Sequence, residues 1–449
     1  MRRVLIANRG EIAVRIIRAA RDLGVETVAV HSTADAGALH VQLADEAVEI
    51  GPPPATRSYL DVAAMIDAAR ATGADAVHPG YGFLAEREDF ARACEDAGLG
   101  FVGPSAQHIA LMGDKATARE TARRAGVPTI PGSQAPVSGP DEATTVAEEV
   151  GYPVAVKAAG GGGGRGIRIV DDEAALRHDL PLAAQEAGRA FGDSRVYIER
   201  FIAPARHVEV QVLGDGARAI HLYERDCSLQ RRRQKVIEET PAPGLPAATR
   251  EAMCAAAVAL CDAVGYRSAG TVEFLVDAAA TSFFFMEMNT RIQVEHPITE
   301  IACGVDLIAE QLRIAAGEPL ELAQDAIVPR GCAMELRLTA EDPERDFQPS
   351  PGTVTAVSLP AGPWVRVDTW VQPGTVVPPF YDSLLGKIVV WGEDRDRAIA
   401  RGRRALRELS VEGVTTSAAM LGAVLDAPWF TGGELHTGAL EEWLKATPV

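Results

Sequence analysis

The sequence predicts a protein of mixed α/β and α+β class that opens with a doubly wound parallel sheet. Segments with helical periodicity separate short apolar runs at residues 4–7, 27–31, 74–78 and 100–102. This alternation is typical of parallel strands joined by helices. Strand-like segments then dominate from about residue 204 to 290 and from 331 to 391. The 449 residues suffice for roughly two to four domains of about 150 residues each.

The first sheet is predicted to extend to about residue 112. Its first strand, at residues 4–7, leads into an amphipathic helix at residues 12–23, which Gly24 ends. The turn between them, residues 8–11, lacks the G-x-G-x-x-G pattern of dinucleotide-binding folds. The sequence therefore does not favour binding of a nicotinamide cofactor.

A smaller α+β unit is predicted after a Pro-, Gly- and Ser-rich linker at residues 128–140. Its expected strands lie at residues 154–157, 167–170 and 195–200. Beyond it, the strand-rich segments alternate with helices, and the last predicted helix covers residues 397–409.

Composition excludes several classes of protein. The net charge of −18 disfavours unassisted binding to nucleic acid or to acidic membranes, and no apolar run is long enough to span a bilayer. The start of the chain reaches a polar segment too soon for a signal peptide. The six cysteines are scattered without metal-binding spacing, which indicates a reducing, cytoplasmic location.

Lysine is rare in this chain. The sequence has 39 arginines but only five lysines, at positions 115, 157, 235, 387 and 445. Such a bias suggests that lysine persists chiefly where a compact ammonium is needed and a planar guanidinium will not serve. Three of the five, Lys115, Lys157 and Lys235, lie in segments that carry chemistry.

The glycine run at residues 160–166 is the first of these segments. It follows a predicted strand that ends in Lys157, and another strand follows it. A lysine beside bare backbone N–H groups suits phosphate oxygens, and a loop without side chains can close over a nucleotide as a lid. A flexible linker is the alternative, but a linker would normally contain serine and lack flanking apolar strands.

Two predicted strands carry facing carboxylates. Read as a hairpin with Asp277 opposite Phe283, residues 270–289 place Glu273 across from Glu287, with Asn289 on the same face as Glu287. Like charges in facing positions are unfavourable unless a cation bridges them, and oxygen ligands suit Mg²⁺ or Mn²⁺ bound with phosphates. An exposed acidic face is the alternative, but the neighbouring phenylalanines favour a half-buried sheet.

The same odd-numbered phase continues through Arg291, Gln293 and Glu295. If the segment is extended, these side chains project into one site, where an arginine can grip an oxyanion and a carboxylate can take a proton. A structural salt-bridge network is the other reading. A helix is expected after His296 and Pro297. Arg337, on a predicted strand, acquires a role only through the resemblance that follows.

Taken together, these segments resemble the biotin carboxylase family of the ATP-grasp superfamily. The matching strings run in the family's order along essentially the whole chain: residues 6–13 (IANRGEIA), 78–84 (HPGYGFL), 113–115 (GDK), 157 with the glycine run, 224–228 (ERDCS), 287–297 (EMNTRIQVEHP) and 381–383 (YDS). The 287–297 string is highly specific.

The resemblance implies the site residues. Those expected to bind ATP are Lys115, Lys157, Gly163, Gly164, Glu199, Arg200, Ile202, His207, Gln230, Glu273 and Glu287. Those expected to hold two Mg²⁺ or Mn²⁺ ions are Glu273, Glu287 and Asn289, and those expected to bind bicarbonate are Lys235, Arg291, Gln293 and Val294. Glu295 would be the general base, and Tyr81, Arg337 and Asp382 would bind biotin, with Arg337 stabilising its enolate. The family commonly has histidine where this chain has Arg233, so Arg233 is left out of the predicted site.

The resemblance also implies the fold and the reaction. It implies an ATP-grasp fold with a Rossmann-like domain at 1–112, a linker and lid at 113–203, a catalytic domain at 204–330 and a biotin carboxylase C-terminal domain at 331–449. ATP and bicarbonate would give carboxyphosphate, and biotin would be carboxylated as the first half-reaction of an acyl-CoA carboxylase, as in fatty acid biosynthesis.

Partners follow from the same resemblance. No lysine lies in the Met-Lys-Met-like context of a biotinyl domain, so biotin is expected on a carrier protein or on another part of the parent protein, with a separate carboxyltransferase. A homodimer is also implied. Two alternatives stay open: another ATP-grasp ligase that forms an acyl or carbamoyl phosphate, and an inactive nucleotide-binding subunit. The intact Lys157, Glu287, Arg291 and Glu295 disfavour the second.

Overall fold

The computed structural model describes residues 1–158 and 166–446, and its first sheet has the predicted parallel topology. The five strands are β1 Arg3–Ile6, β2 Glu26–Ser32, β3 Glu46–Gly51, β4 Ala76–His78 and β5 Gly100–Phe101, in the order β3-β2-β1-β4-β5. Four of them confirm the predicted strands. The sequence did not indicate β3 because this edge strand is mostly exposed and only Ile50 in it is buried.

Five helices accompany this sheet: α1 Gly10–Asp22, α2 Leu39–Leu43, α3 Val62–Thr72, α4 Glu88–Asp96 and α5 Ala106–Gly113. Helix α1 starts two residues earlier than predicted, at Gly10, whose φ of +67° is left-handed. It packs on the sheet through Ile12 and Ile16, while Val14 lies in a cluster with Trp370 from the far end of the chain.

The second unit is small and antiparallel. Its elements are α6 Lys115–Arg124, α7 Pro140–Val150, β6 Val154–Ala158, β7 Ile167–Val170, α8 Glu173–Phe191 and β8 Val196–Arg200, with the strand order β7-β6-β8. All three strands confirm the prediction. Residues 128–140 are not a free linker, because the backbone N–H of Ser133 donates to Ile198 O (2.8 Å) and that of Val137 to Val196 O (2.9 Å) along β8.

A large antiparallel sheet follows. Its strands are β9 Ala205–Asp215, β10 Ala219–Arg231, β11 Gln234–Thr240, β12 Arg267–Asp277, β13 Phe283–Asn289, β14 Cys332–Thr339, β19 Val365–Thr369 and β21 Leu384–Gly392. They are ordered β13-β12-β9-β10-β11-β14-β21-β19. The β11–β14 ladder carries this sheet across residue 330, where the sequence placed a domain boundary. The predicted domain boundaries stay a prediction.

Short strands decorate the C-terminal part: β15 Glu341–Asp342, β16 Gln348–Pro349, β17 Gly352–Thr353, β18 Ala356–Ser358, β20 Val376–Val377 and β22 Ser410–Glu412. They pair as β15–β16, β17–β20 and β18–β22.

The helices of this part are α9 Ala247–Val264, α10 His296–Cys303, α11 Leu307–Ala315, α12 Arg395–Glu408, α13 Ala418–Asp426, α14 Pro428–Thr431 and α15 Ala439–Ala446. Helix α12 confirms the last predicted helix, but it is not the last one. Helices α13, α14 and α15 were missed because short helices depend on packing, here of Leu421, Phe430 and Leu440. The alanine-rich α9 was also missed, because its apolar periodicity is weak.

Candidate active site

A cavity of about 1730 Å³ is lined by residues of the small and the large antiparallel sheets and by residues that follow β1 and β4 of the parallel sheet. Its lining includes the predicted residues Tyr81, Lys115, Lys157, Glu199, Arg200, Ile202, His207, Gln230, Lys235, Glu273, Glu287, Asn289, Arg291, Gln293, Val294, Arg337 and Asp382. Glu295 is fully buried and reaches the cavity wall through Lys235 and Arg337. Gly163 and Gly164 lie outside the described residues. The roles of all these residues stay predictions.

The facing carboxylates lie where the sequence placed them, but for a different reason. The predicted pairing of Asp277 with Phe283 is wrong, because Val276 pairs with Phe283. A β-bulge between Phe274 and Glu273 leaves Met286 without a partner and restores Glu273 opposite Glu287. The extra residue lets Phe285 pack in the core while Glu287 faces the cavity.

This pair fits a divalent cation. Burial and the charge of Glu273 raise the pKa of Glu287 above its usual value. Glu273 Oε1 accepts a hydrogen bond from Asn289 Nδ2 at 2.9 Å, so an amide and two carboxylates meet at one place. A cation between them would offset the like charges, and three oxygen donors suit Mg²⁺ or Mn²⁺.

A second group of possible ligands lies beside the first. His207, Glu209 and Glu273 bring ligand atoms within 4.8 Å of one another, and His207 Nε2 is 3.2 Å from Glu273 Oε2. Lys235 Nζ already lies 2.6 Å from Glu209 Oε2, so an ammonium offsets these charges. Glu209 was not predicted, although a glutamate between Val208 and Val210 of a buried strand is an unusual residue.

Lys235, Glu295 and Arg337 form a cluster at the base of the cavity. Lys235 Nζ donates to Glu295 Oε1 at 2.5 Å, and Arg337 Nη2 donates to Glu295 Oε2 at 2.9 Å. The odd-numbered phase predicted for Arg291, Gln293 and Glu295 required an extended segment, but the strand does not continue through residues 290–295. β13 ends at Asn289, and turns lead to α10, so the convergence comes from the turn and not from strand alternation.

The charge state of Glu295 follows from this cluster. Burial would raise the pKa of Glu295, but Lys235, Arg337 and Arg225 hold it well below its usual range. The carboxylate is therefore ionised and able to accept a proton. An anion that binds the same cations would weaken their hold on Glu295 and make it more basic.

Arg291 is held by three side-chain acceptors before any ligand binds. Its Nε donates to Glu86 Oε2 (2.8 Å), its Nη1 to Gln293 Oε1 (2.9 Å) and its Nη2 to Asn289 Oδ1 (3.1 Å). A guanidinium fixed in this way can bind an oxyanion at little entropic cost. Glu86 was not predicted, because it lies just beyond the family-like segment at residues 78–84.

The small sheet supplies the other wall of the cavity. Lys157 forms an ion pair with Glu199, whose other oxygen accepts from Arg119 Nη1 at 2.8 Å. Gln230 Nε2 lies 2.8 Å from His207 Nδ1. Cations and amides therefore line this wall, as a nucleotide site needs. Arg119 had not been predicted.

The predicted biotin residues lie towards the N- and C-terminal parts of the chain. The Tyr81 hydroxyl donates to Glu11, and Asp382 Oδ1 accepts from the backbone N–H of Leu384 at 2.8 Å. Glu11 was not predicted, and it lies inside α1, where a buried carboxylate is unusual.

A small antiparallel sheet bearing Lys157 faces a larger antiparallel sheet bearing paired carboxylates, and together they define an enzyme of the ATP-grasp class. Three family models match the chain: "Biotin carboxylase, N-terminal domain" at residues 1–109, "Carbamoyl-phosphate synthase L chain, ATP binding domain" at 114–323 and "Biotin carboxylase C-terminal domain" at 335–442. Its relatives agree with these matches along nearly the whole chain. The chain belongs to the biotin carboxylase family.

Two relatives show how close the similarity is. The biotin carboxylase of Pseudomonas aeruginosa is 55% identical over 436 residues, which cover 96% of each chain. Biotin carboxylase 1 of Bacillus subtilis is 52% identical over 444 residues, which cover 99% of each chain.

Solved structures agree with the fold. The biotin carboxylase domain dimer of the Hydrogenobacter thermophilus 2-oxoglutarate carboxylase, in complex with MgADP, ADP and bicarbonate, superimposes with a TM-score of 0.90. It is 45% identical, with 98% of this chain and 97% of that chain covered. A biotin carboxylase–β-γ-ATP complex from Campylobacter jejuni has a TM-score of 0.92 at 44% identity and covers 98% of each chain.

None of the helices in residues 1–158 and 166–446 has the length and apolar character that crossing a bilayer requires.

Proposed function

We propose that this chain carboxylates biotin with bicarbonate at the expense of ATP. The observation that carries the proposal is the buried, ionised Glu295 held between Lys235 and Arg337 at the base of the cavity. The carboxylate of Glu295 can act as the base, and the cations of Lys235 and Arg337 beside it can bind an anion. The family membership supplies the reaction class.

The first step activates bicarbonate. Arg291, Gln293, Lys235 and the backbone at Val294 bind it, and Glu295 takes its proton. The deprotonated oxygen attacks the γ-phosphorus of ATP, so that a carbonate O–P bond forms and the bond to the ADP oxygen breaks. Carboxyphosphate and ADP result. Lys115 and Lys157 offset the charge of the phosphates.

The second step transfers the carboxyl group. Carboxyphosphate splits into CO₂ and phosphate, and the phosphate takes the N1 proton of biotin. Arg337 stabilises the resulting enolate, whose nitrogen then captures CO₂ to give carboxybiotin. Tyr81 and Asp382 border the biotin. The remaining predicted nucleotide contacts are Glu199, Arg200, Ile202, His207 and Gln230, with Gly163 and Gly164 in the lid.

Two divalent cations complete the nucleotide site of this proposal. Glu273, Glu287 and Asn289 are the residues that would hold Mg²⁺ or Mn²⁺. When bound, the ions neutralise charge on the ATP phosphates and so lower the cost of bringing a second anion close.

We infer further that biotin arrives on a carrier protein and that a carboxyltransferase consumes the carboxybiotin, as in an acyl-CoA carboxylase. The described chain forms a homodimer in this proposal, and its six free cysteines favour a reducing, cytoplasmic compartment. Co-purification with a biotinylated protein tests the carrier, and sedimentation equilibrium tests the dimer.

The direct test measures ATP hydrolysis with and without bicarbonate, and then with free biotin added. We expect hydrolysis to depend on bicarbonate and to rise with biotin, while ¹⁴C-bicarbonate appears in carboxybiotin. Hydrolysis that ignores both additions would overturn the proposal. Phosphorylated product without labelled biotin would favour a different ATP-grasp ligase.

A further inference from the structure

Lys387 is a fully buried lysine that the proposed reaction does not use. It lies on β21, is 0% exposed, and is the fourth of the five lysines of an arginine-rich chain. Its cross-strand partners are Arg337 on β14 and Asp368 on β19. It therefore lies directly beside the residue expected to stabilise the biotin enolate.

The ammonium of Lys387 contacts two separate parts of the site. Its Nζ donates to the carbonyl oxygen of Val294 at 2.9 Å and lies 3.1 Å from Glu11 Oε1. The same Glu11 oxygen accepts the hydroxyl proton of Tyr81. One ammonium thus links Val294 of the predicted bicarbonate site to Tyr81 of the predicted biotin site, through Glu11.

The Val294 contact matters because of the peptide group it fixes. The carbonyl of Val294 and the N–H of Glu295 share one rigid plane. Holding that oxygen fixes the orientation of the plane and hence the start of the Glu295 side chain. Lys387 does not line the described cavity, but through this contact it orients both the predicted general base and the predicted bicarbonate site.

The choice of lysine has a physical reason. The position is fully buried, and its two acceptors lie close to a single nitrogen. A compact ammonium can serve both from one atom, whereas a planar guanidinium needs more space and fixed donor directions. Burial raises the pKa of Glu11 and the charge of Lys387 opposes that rise, so the pair depends on both members.

We propose that Lys387 is a positioning residue that couples the bicarbonate and biotin subsites, through Val294 on one side and through Glu11 and Tyr81 on the other. This inference rests on the proposed function. In this inference, Glu11 holds the Tyr81 hydroxyl in place because the Lys387 ammonium holds Glu11.

The test compares four variants by bicarbonate-dependent ATP cleavage and by carboxylation of free biotin. We expect Lys387→Met to raise KM for bicarbonate and KM for biotin about tenfold each, the cost of losing a charge-assisted hydrogen bond, with KM for ATP nearly unchanged. Glu11→Gln keeps the Val294 contact, so it raises KM for biotin alone. Lys445→Met, at an exposed lysine of α15, is the matched control and leaves all three constants unchanged.

The double variant Lys387→Met/Glu11→Gln separates positioning from stability. Lys387→Met alone leaves Glu11 buried without its cation and lowers Tm, while the double variant removes both charges and recovers much of that loss. KM for bicarbonate stays raised in the double variant if Lys387 positions the loop. Its return to the wild-type value together with Tm would overturn the inference, as would an unchanged KM for biotin in Glu11→Gln. A wild-type protein without bicarbonate-dependent ATP cleavage would instead remove the proposed function and this inference with it.

Discussion

Arg337 is the residue on which two buried carboxylates converge. Its Nη2 contacts Glu295 and also forms an ion pair with Glu238, and both carboxylates are 0% exposed. The guanidinium is thus fixed in place and electrostatically matched before biotin arrives. Because stabilising an enolate concerns the second step of the proposed reaction, its loss should affect the two steps unequally.

We predict that Arg337→Ala lowers carboxylation of biotin by about a hundredfold or more, the size expected when a group that stabilises developing charge is lost. Bicarbonate-dependent ATP cleavage should fall much less, because Lys235 still pairs with Glu295. The two rates are measured in one assay by phosphate release and ¹⁴C incorporation. An equal loss of both would contradict the role given to Arg337.

Glu238 is a second residue with a distinctive charge state. Burial raises its pKa to about 7, Glu295 adds to the rise, and Arg337 and Lys235 oppose it. Glu335, its cross-strand partner on β14, is equally buried, and burial raises the pKa of that carboxyl well above its usual value. Glu238 has its ion pair with Arg337, whereas neither oxygen of Glu335 accepts a hydrogen bond within the described residues.

The pH dependence of stability follows. The folded protein holds the Glu238 proton up to about pH 7, whereas the unfolded chain releases it near 4.5, so the contribution of Glu238 to folding stability is fully present below pH 4.5 and is lost as the pH rises to about 7. We predict that the free energy of unfolding of Glu238→Gln rises, relative to that of the wild type, by up to about 1.4 kcal/mol for each pH unit between these values. Urea unfolding at pH 5 and pH 8 measures this. A pH-independent difference, like that expected of the exposed Glu251→Gln, would refute it.

Site residues that lie in a recognisable sequence motif could be predicted. Residues that only hold those site residues in position could not. Lys157, Glu287 and Arg291 belong to recognisable segments, and the structure brings them to one cavity. Glu238 meets Arg337, and Lys387 meets Glu11, only through sheet pairing and helix packing of distant segments. The available signal was a charged residue within an apolar strand or helix, which sequence reasoning can flag but cannot assign to a partner.

The β12–β13 hairpin shows the same limit at the scale of an element. Its strands and the Glu273–Glu287 pairing were predictable, but the bulge at Met286 was not. A bulge depends on which side chains must enter the core, here Phe285 with Phe274. Alternation alone would have placed Phe285 and Glu287 on one face.

The hairpin leads to a prediction about metal binding. Glu287→Gln removes the like charge facing Glu273, so the variant without divalent ions should be at least as stable as the wild type. With MgATP at a hundred times the Kd of the wild type, the free energy of unfolding of the wild type should rise by about 2.7 kcal/mol. At the same MgATP concentration, that of the variant should rise clearly less. Thermal unfolding with EDTA and with MgATP measures both, with Glu318→Gln as the exposed control. An equal gain in both proteins would argue against Glu287 as a ligand.

At the scale of the whole molecule, Arg9 joins the first sheet to the C-terminal part. Its guanidinium forms a bidentate pair with Asp35, at 2.7 and 2.8 Å. It also lies 5.0 Å from the ring centre of Trp370 and 4.3 Å from that of Tyr381. The residue before Asp382 is therefore held by an arginine from the start of the chain.

We predict that Arg9→Leu costs about 3–5 kcal/mol, because it leaves Asp35 buried without its cation. It should also raise KM for biotin by loosening Tyr381 and its neighbour Asp382. Arg9→Leu/Asp35→Asn should recover part of the stability, while the exposed Arg70→Leu stays within about 0.5 kcal/mol of wild type. Urea unfolding measures the free energies. A loss that the double variant does not reduce would contradict the role of the ion pair.

Because β11 and β14 pair with each other, the two segments that match different family models must be exchanged together. Lys235 lies on one of these strands and Arg337 on its neighbour, although residues 114–323 and 335–442 match different family models. A chimera that takes its last quarter from a relative must therefore supply a strand that pairs in register with β11 and an arginine that contacts Glu295. Exchange between family members is thus constrained at the junction near residue 330 more strongly than the division into family models suggests.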